Sequence, residues 1–431
     1  MNIRSTAFWL KDSLQGKIVR KYYDEVLNDL KSEQGAIKST KQLQHILQWA
    51  VEHVPFYKKI GGENLKQLSD FPIINKFMIK ENEDMFLAPQ YDKSKLFVET
   101  TSGSIGTPLK IYQDPIKRRR AAADTIAFSQ FAGYNLGTRL YYSRVWNKYN
   151  RKGRAASMLQ NIVMQDSDKL SDSELQNFID ALEKDKSEKS VLIFASTLTA
   201  LYRYMISNNI QTTAKVECFI TMSESLAKEV RVGIANLFNT TVVSRYSNCE
   251  CGIMGQQCKD SDEYHINTTS FYIEILKFDS DEPAEEGERG RIVVTDLYNH
   301  AMPLIRYDTG DVAVLSSHSE CSMGGPVFKQ VDGRRVDCIY STTGEMLSPY
   351  TIINTMWPFN EVKQYQLIQN AEKEYLLKIN KQVDIFTQKE HILQALKSYI
   401  GYDADIVIEY VSEIPLLSSG KRKQVINNYK K

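Results

Sequence analysis

The chain of 431 residues lacks the features that mark membrane-spanning, secreted or nucleic-acid-binding proteins. It has no run of 18 apolar residues, which a membrane-spanning helix needs. Its first residues, 1–4, do not begin the basic and then apolar pattern of a secretory signal. Its formal net charge is +1, so no excess of one sign favours binding to nucleic acid. We therefore expect a cytoplasmic protein with no membrane span and no nucleic-acid partner.

Cysteine is scarce, with 6 residues in the chain. In the cytoplasm these thiols are expected to be mostly reduced. Cys249, Cys251 and Cys258 nevertheless lie within ten residues, and His265 follows seven residues after Cys258. The spacing is not that of a CxxC pair, so buried reduced cysteines and a structural zinc site both stay open.

The length and composition are those of an ordinary multidomain globular protein. Hydrophobic residues make up 42% of the chain and charged residues 25%. A chain of 431 residues is long for one compact unit and favours two or three domains.

Hydrophobic periodicity predicts the order of the secondary structure. Residues 1–95 form a helical lobe, residues 96–250 alternate strands with helices, and residues 264–336 are rich in β-structure. The alternating part predicts a largely parallel sheet with ligands at the carboxyl ends of its strands. Its predicted helices are Lys117–Phe131, Ser171–Lys184, Leu198–Ile206 and Glu224–Leu237, and its strands include Ser190–Ala195 and Thr240–Val243.

A polar loop at Thr100–Lys110 lies between two short apolar stretches. It carries five hydroxyl side chains, and Gly103 and Gly106 allow backbone N–H groups to approach a ligand closely. A loop that offers hydrogen-bond donors and no carboxylate is suited to bind the oxygens of an anion, and phosphate is the natural candidate. No Lys-Ser or Lys-Thr pair follows at the spacing of a Walker loop. An ordinary surface turn explains the composition equally well.

Three later segments carry polar groups of interest. Tyr246 directly follows a predicted strand and can stack on a flat base, while Glu250 can help to hold a divalent ion. A tyrosine packed at a sheet edge and a solvated glutamate are the alternatives. Asp311, predicted to project from a turn, can accept hydrogen bonds from two ribose hydroxyls. The charged, glycine-containing segment Val331–Asp337 is typical of a domain linker.

Five stretches, taken together and in order, resemble the core motifs of the adenylate-forming (acyl-activating) superfamily. They are Thr-Ser-Gly-Ser-Ile-Gly-Thr-Pro, Tyr-Ser-Asn-Cys-Glu, Arg-Tyr-Asp-Thr-Gly-Asp, Gly-Arg-Arg-Val-Asp and Ser-Ser-Gly-Lys-Arg-Lys. Within that superfamily the chain is similar to the phenylacetate–CoA ligase-like branch, which includes capsule-locus members. Val54–Tyr57 and Phe71–Lys76 of the N-terminal lobe share this likeness, which covers nearly the whole chain.

The resemblance implies an α/β fold with two domains. Residues 1–336 would form a large adenylation domain of mixed sheets and helices. Residues 337–431 would form a small α+β lid that rotates about a hinge at Asp337 between two half-reactions.

The resemblance also implies a role for each motif residue. Tyr246 would stack on adenine, Asp311 would bind the ribose hydroxyls, and Arg334 would lie near the ribose and phosphate. Glu250 would help to hold Mg²⁺, and Lys421 would neutralise charge between the carboxylate and the α-phosphate. The loop that cradles the β- and γ-phosphates of ATP would use Thr101, Ser102, Gly103, Ser104, Gly106 and Thr107.

Some positions depart from the pattern of the branch. Ile105 replaces a hydroxyl residue of the phosphate loop, and Cys249, Ser247 and Asp308 replace residues that are more usual there. None of these changes removes an indispensable charge, so we expect an active enzyme. Some relatives of this branch carry a Cys and a His in the first region and a Cys-x-Cys in the second, which suggests structural zinc. Here the ligand set would be Cys251, Cys258, His265 and Cys321, with Met323 standing where a second cysteine of Cys-x-Cys would fall.

The implied reaction uses ATP and Mg²⁺ to turn a small carboxylic acid into an acyl-adenylate, with release of pyrophosphate. The acyl group would then pass to a thiol, with coenzyme A preferred, or to an amine. The acid is expected to bind near residues 141–146, 194–198 and 221–224. Two alternatives stay open: transfer of AMP to a non-carboxylate acceptor, and a catalytically silent nucleotide-binding protein of a biosynthetic cluster. The motifs do not identify the acid, and they are compatible with a homodimer.

Overall fold

The computed structural model describes residues 2–30, 32–101, 109–146, 151–167, 170–317, 319, 325–417 and 422–429. The helices are α1 (Ile3–Leu14), α2 (Ile18–Asp29), α3 (Glu33–His53), α4 (Pro55–Ile60), α5 (Lys76–Glu81), α6 (Glu83–Phe86), α7 (Pro115–Phe131), α8 (Arg154–Gln160), α9 (Asp172–Lys184), α10 (Ala195–Ser207), α11 (Lys228–Phe238), α12 (Pro349–Met356) and α13 (Lys389–Ile400). Within the described ranges, no helix combines the length and apolar character needed to cross a membrane.

Most of the described strands lie in the second half of the chain. They are β1 (Phe97–Thr100), β2 (Lys110–Gln113), β3 (Arg139–Arg144), β4 (Ile162–Asp166), β5 (Lys189–Phe194), β6 (Cys218–Met222), β7 (Thr241–Asn248), β8 (Gly252–Gln257), β9 (Tyr264–Ile266), β10 (Phe271–Leu276), β11 (Arg289–Asp296), β12 (Tyr307–Ser316), β13 (Val327–Arg334), β14 (Ile339–Tyr340), β15 (Met346–Leu347), β16 (Val362–Gln369), β17 (Glu374–Lys381), β18 (Asp405–Tyr410) and β19 (Val425–Asn427). The predicted α/β class is confirmed.

The chain divides into two compact units. The first contains residues 1–137 and 245–331, and the second contains residues 138–244 and 332–431. The predicted domains, residues 1–336 and 337–431, stay a prediction.

The first unit holds the helical lobe and the β-rich part of the sequence. Its strands follow the order β10-β11-β12-β13-β9-β8-β7, with the Arg245–Asn248 part of β7 at the end. An apolar core beneath these strands includes Ile46 and Phe71 from the helical lobe and Val294 from β11. The phenol hydroxyl of Tyr57 in α4 donates to the carbonyl of Pro303 at 3.1 Å. The N-terminal lobe, predicted from its helix spacing, therefore packs directly on the sheet that carries Asp311.

An extended segment of the lobe joins this sheet just before α5. Ile74 pairs in parallel with Tyr307, because its N–H donates to the carbonyl of Arg306 at 3.0 Å and its carbonyl accepts from the N–H of Asp308 at 2.8 Å. Lys76 follows Ile74 by two residues, so the bridge fixes its backbone relative to the start of β12.

The second unit contains the predicted parallel sheet. Strand order is β7-β6-β5-β3-β4, and β3 runs parallel to both β4 and β5, as β5 does to β6. Helices α9, α10 and α11 bury apolar side chains against these strands, among them Phe178, Leu198 and Ile234. Helix α9 starts at the predicted cap, where the Ser171 hydroxyl accepts from the N–H of Glu174. The parallel arrangement confirms the alternating pattern read from the sequence.

The start of α11 differs from the prediction. The helix was expected from Glu224 but begins at Lys228. Ser223 has a φ of +72°, which ends the preceding strand in a tight turn. The Glu224 carboxylate accepts the N–H of Ser196 at 2.9 Å, at the start of α10. The glutamate therefore caps a neighbouring helix instead of opening its own.

The C-terminal residues of the second unit form a four-stranded sheet in the order β18-β17-β16-β19. Strands β16 and β17 are antiparallel, whereas β18 and β19 add in parallel. Helices α12 and α13 contribute Ile352 and Leu396 to its core. This is the small α+β unit that the sequence predicted, with β19 as a strand that the sequence did not reveal.

Candidate functional site

The Asp-Thr-Gly-Asp motif forms a bulge in β12, where the sequence predicted a turn. Opposite it on β11, Arg291 pairs with Val312 and Val293 pairs with Asp308, so three residues of β12 face one residue of β11. Gly310 has a φ of +76°, a conformation that glycine adopts without a steric cost. The strand continues past the motif because both flanks keep their ladder pairing.

Side chains of the motif hold the bulge in shape. The Asp308 carboxylate accepts the N–H of Gly310 at 2.8 Å. The Thr309 hydroxyl accepts the N–H of Asp311 at 3.1 Å and donates to the carbonyl of Ile292 at 3.0 Å. The bulge leaves the Asp311 carboxylate fixed on the strand.

Asp311 meets Tyr246 across the sheet of the first unit. The Tyr246 hydroxyl donates to the Asp311 carboxylate at 2.8 Å, and the two residues are 8% and 7% exposed. The Tyr246 ring packs edge-on against Phe328 with 5.7 Å between centroids. Burial and then the charge of Asp311 raise the pKa of Tyr246 well above its ordinary value, so the phenol stays a neutral donor. Two motifs 65 residues apart in sequence therefore form one buried contact.

Tyr246 lies within a strand instead of after one. β7 continues to Asn248, five residues beyond the predicted end at Val243. The extension pairs with β8, which the sequence analysis missed: Arg245 faces Gln256 and Asn248 faces Gly252. Ladder pairing therefore holds Tyr246 more rigidly than a loop would.

Glu250 lies in the turn between β7 and β8 and is 4% exposed. The Tyr307 hydroxyl donates to one of its carboxylate oxygens at 3.2 Å. Its described contacts include no lysine, arginine or histidine nitrogen within 4 Å. A buried carboxylate with a neutral donor and no basic partner fits a metal cation, and Mg²⁺ is commonly held by one or two carboxylates together with phosphate oxygens.

A buried lysine supports this turn. The Lys117 ammonium donates to the carbonyl of Cys251 at 2.7 Å and pairs with Asp296 at 2.6 Å. The Asn248 side chain accepts the N–H of Cys251 at 2.7 Å. These contacts fix the backbone on the C-terminal side of Glu250.

The predicted zinc ligands do not come together. Cys251 and Cys258 flank the six residues of β8, and an extended strand of this length separates its ends by about 20 Å. Two ligands of one zinc ion each lie about 2 Å from the metal, so this pair cannot share it. Within the described part of the chain, no three His, Cys, Asp or Glu residues are grouped to hold a metal ion. Cys321 lies outside the described residues, and the zinc prediction is corrected.

The loop predicted to bind phosphate closes a β-hairpin. β1 and β2 are antiparallel, with Thr100 opposite Lys110. At the base of the loop, Thr101 donates its N–H to the carbonyl of Leu109 at 3.0 Å, and its hydroxyl accepts the N–H of Leu109 at 3.1 Å. The remaining predicted loop residues, Ser102, Gly103, Ser104, Ile105, Gly106 and Thr107, lie outside the described residues.

Lys76 is a residue of this site that the sequence analysis did not single out. Its ammonium donates to the Thr101 hydroxyl at 3.0 Å, from the first residue of α5. The described contacts of Lys76 include no carboxylate. The only hint in the sequence was the Phe71–Lys76 stretch, whose likeness to the branch carried no assigned role.

The remaining predicted residues belong to the second unit. Arg334 is exposed and is the last residue of β13. Of the predicted linker Val331–Asp337, the first four residues therefore belong to this strand, and only Arg335–Asp337 form a short helical turn. Asp337 ends that turn, and its carboxylate accepts from the Lys423 ammonium. Lys421 lies outside the described residues.

The stretches predicted to surround the acid also lie in the second unit. They follow or end β3, β5 and β6, which are neighbours in the parallel part of the sheet, so their carboxyl ends share one edge. The Arg144 guanidinium lies over the rings of Tyr142 and Trp146, at 5.7 and 5.5 Å from their centroids.

Comparison with known proteins gives a consistent set of relatives. The family described as the CapK C-terminal domain matches residues 339–428. Protein CapK of Staphylococcus aureus is 22% identical, over 97% of this chain and 96% of its own length. Phenylacetate-coenzyme A ligase of Thermus thermophilus is 20% identical, over 94% of this chain and 99% of its own length.

A solved structure shares the fold. It is 2-hydroxyisobutyryl-CoA ligase in the postadenylation state in complex with 2-HIB-AMP, with a TM-score of 0.71 and 17% identity over 90% of this chain and 88% of that one. These likenesses extend over nearly the whole chain, as the five motifs predicted, and confirm the predicted resemblance.

Proposed function

We propose, from the likeness of this chain to the phenylacetate–CoA ligase-like branch of the adenylate-forming superfamily, that it is an AMP-forming ligase. It activates a small carboxylic acid with ATP, releases pyrophosphate, and transfers the acyl group to coenzyme A. The buried contact between Tyr246 and Asp311 carries the proposal, because it joins the motif residues that the resemblance assigns to adenine and ribose.

In this proposal the nucleoside binds at Tyr246 and Asp311. Adenine stacks on the Tyr246 ring, while the Asp311 carboxylate accepts the ribose hydroxyls with its two oxygens. The Tyr246 hydroxyl donates to one of those oxygens at 2.8 Å and so orients the carboxylate. Arg334 contributes positive charge near the ribose and phosphate.

The phosphates bind at the loop that Thr101 closes. Thr101, Ser102, Gly103, Ser104, Gly106 and Thr107 cradle the β- and γ-phosphates, and Lys76 adds a cation at the base of the loop, 3.0 Å from the Thr101 hydroxyl. Because the hydroxyl of Thr101 already accepts from Leu109 and Lys76, its main contribution is to fix the loop base.

Glu250 is the residue that would hold Mg²⁺, together with phosphate oxygens. The ion would neutralise phosphate charge during the displacement. The Tyr307 hydroxyl orients the Glu250 carboxylate through its hydrogen bond of 3.2 Å.

The first half-reaction brings two anions together. At about 4 Å and an effective dielectric of about 20, a carboxylate and one phosphate charge repel each other by about 4 kcal/mol. Lys421 neutralises this charge between the carboxylate and the α-phosphate. It is the catalytic residue of the proposal.

Coenzyme A is the proposed acceptor because two relatives are named as ligases of phenylacetate and coenzyme A. An amine acceptor, or AMP transfer to a non-carboxylate group, would use the same nucleotide residues. A catalytically silent nucleotide-binding protein is the remaining alternative. The hinge at Asp337, the cytoplasmic location and a homodimer remain proposals of the same kind.

A pyrophosphate-release screen tests the function. The chain is incubated with ATP, Mg²⁺ and a panel of aromatic, aliphatic, amino and sugar acids, with and without coenzyme A. We expect at least one acid to cause pyrophosphate release and a coenzyme A thioester to form. Release of pyrophosphate with AMP retained on the final product would contradict the ligase proposal.

The role of Lys76 has its own test. We expect the Lys76→Met variant to raise the KM for ATP about tenfold, since a hydrogen bond to a charged group contributes about 1.5 kcal/mol or more. Pyrophosphate exchange measured over a range of ATP concentrations gives the value. Lys80→Met is the control, because Lys80 lies in the same helix and is exposed. An unchanged KM in the Lys76 variant would rule out a phosphate contact.

A further inference from the structure

A basic cavity of about 80 Å³ lies within the second unit, and none of the residues assigned above to the nucleotide, the phosphates or Mg²⁺ lines it. Its charged and hydroxyl lining includes Arg203 from α10, Lys363 and Tyr365 from β16, and Arg422. We call it the Arg203 pocket. Since one water needs about 10–15 Å³ of such space, the pocket has room for several waters or for one small polyatomic ion.

Arg203 reaches the pocket without an acidic partner. One guanidinium nitrogen donates to the carbonyls of Phe359 and Val362, and the other donates to that of Trp357 at 3.5 Å. Its described contacts include no carboxylate within 4 Å. Loss of solvent lowers the pKa of Arg203, which reflects the cost of holding its charge there. Three carbonyls accept from these N–H groups and the guanidinium lies 5.1 Å from the centroid of the Trp357 ring, but none of these partners carries a negative charge that would neutralise it.

Tyr365 supplies the second indication of a ligand. It is 6% exposed, and its hydroxyl has no hydrogen-bond partner among the described residues. Burial raises the pKa of Tyr365, so the hydroxyl remains a neutral donor. A buried hydroxyl that lines a cavity and lacks a partner is costly unless a ligand or an ordered water accepts from it.

The rest of the lining adds more positive than negative charge. The Lys363 ammonium lies 3.6 Å from the Asp172 carboxylate, and both side chains are partly exposed. Arg422 is 9% exposed and donates to the carbonyl of Ile414 at 2.9 Å. Its other end pairs with Glu413, which is not part of the lining. The lining therefore contains three cations and one acid, Asp172.

We propose that the Arg203 pocket binds a small oxyanion of the phosphate type. The Arg203 guanidinium would supply charge, and the Tyr365 hydroxyl would donate a hydrogen bond to one anion oxygen. Lys363 would approach from β16, as Tyr365 does, and Arg422 from the segment that precedes β19. Donors from several directions suit a tetrahedral group better than a flat one, and the volume accommodates one such group.

Two sources share this chemistry: free inorganic phosphate, and a phosphate group of coenzyme A, the second of which rests on the proposed function. Arg422 directly follows Lys421, so an anion held by Arg422 would also restrain the chain beside the proposed catalytic lysine.

The binding test uses the full chain and inorganic phosphate as the probe. Thermal unfolding is followed as phosphate replaces chloride at constant ionic strength, because a ligand of the native state raises the unfolding midpoint. We expect the dissociation constant obtained from the midpoints to rise at least tenfold in Tyr365→Phe and in Arg203→Met. Tyr402→Phe and Arg154→Met are matched controls, since both residues are exposed, and we expect them to keep the wild-type response.

Tyr365→Phe separates binding from a structural role. Removing a buried hydroxyl that has no partner leaves the fold intact or stabilises it, so a purely structural role predicts no loss of the phosphate response. If Arg203→Met does not fold, this variant alone still decides the question.

Calorimetric titration with coenzyme A and with dephospho-coenzyme A identifies the source. If the 3′-phosphate of coenzyme A is the ligand, Arg203→Met weakens binding of coenzyme A at least tenfold and leaves binding of dephospho-coenzyme A, which lacks that phosphate, unchanged. If free phosphate is the ligand, both coenzymes bind the variant as they bind the wild type while the phosphate response is lost. The proposal is overturned if neither phosphate nor coenzyme A binding changes in the two variants, which would mean that the pocket holds only water. None of these measurements depends on catalysis, so the proposed function can fail while the site stands.

Discussion

We expect the Lys421→Ala variant to lose about 10³-fold of the rate of carboxylate-dependent ATP–pyrophosphate exchange. The removed ammonium offsets a repulsion of about 4 kcal/mol between the attacking carboxylate and the α-phosphate, and every 1.4 kcal/mol is a factor of ten in rate. Because Lys421 is proposed to act on the transition state, kcat should fall while the KM for ATP changes little. Exchange kinetics at saturating acid measure both quantities.

Two comparisons make this result specific. Lys389→Ala removes an exposed lysine at the start of α13 and should leave the exchange rate unchanged. Binding of ATP to the Lys421 variant, measured by calorimetry, should match the wild type. Wild-type exchange in the Lys421 variant would reject its catalytic role and would favour the silent nucleotide-binding alternative.

The Asp311→Asn variant should raise the KM for ATP about 10- to 100-fold with a smaller effect on kcat. The amide keeps the shape of the carboxylate but loses its charge and one acceptor oxygen, and a hydrogen bond to a charged group contributes about 1.5–3 kcal/mol. The Tyr246 hydroxyl, 2.8 Å from the carboxylate, can still donate to the remaining oxygen, so the fold should persist. Exchange kinetics at varied ATP give the KM, and urea unfolding monitors stability.

The Tyr246→Phe variant distinguishes direct binding from positioning. It removes the donor to Asp311 but keeps an aromatic face for adenine, so we expect a rise in KM of about tenfold or less. Asp279→Asn, at an exposed turn of the same unit, should have no effect. An Asp311→Asn enzyme with an unchanged KM for ATP would contradict ribose recognition by this residue.

The sequence predicted the architecture because local patterns determine it. The prediction of a strand at Ser190–Ala195 located β5, which the structure has one residue earlier, at Lys189–Phe194. The Ser171 cap and the helix after it were likewise visible as a capping residue followed by an amphipathic stretch. Such signals depend on neighbours a few residues apart, so one chain is enough to read them.

The predictions that failed depend on pairing between distant segments. Arg245–Asn248 became strand because β8 follows and pairs with it, although Ser247 and Asn248 favour a loop locally. Asp311 lies in a bulge, where both flanks of its turn-like motif join β11. The zinc prediction counted residues along the chain, whereas the extended geometry of β8 separates Cys251 from Cys258.

Individual residues of the site were predicted only where they belong to one of the sequence motifs. Tyr246 and Asp311 were both named, but their mutual hydrogen bond follows from the sheet and not from either motif. Lys76 contacts Thr101 across 25 residues, from a helix to the base of a hairpin, so no local pattern indicates the contact. The Arg203 pocket is lined by residues of α10 and β16, which are far apart in the chain, and no local pattern in the sequence indicates it.

Isotope transfer from the acid tests the central claim most directly. An acid that supports pyrophosphate release is labelled with ¹⁸O in both carboxylate oxygens and converted with ATP and coenzyme A. The account predicts AMP that contains one ¹⁸O atom, because the carboxylate oxygen that attacks the α-phosphate leaves with AMP when the thiol takes the acyl group. Unlabelled AMP, or label in inorganic phosphate with ADP as the other product, would contradict it.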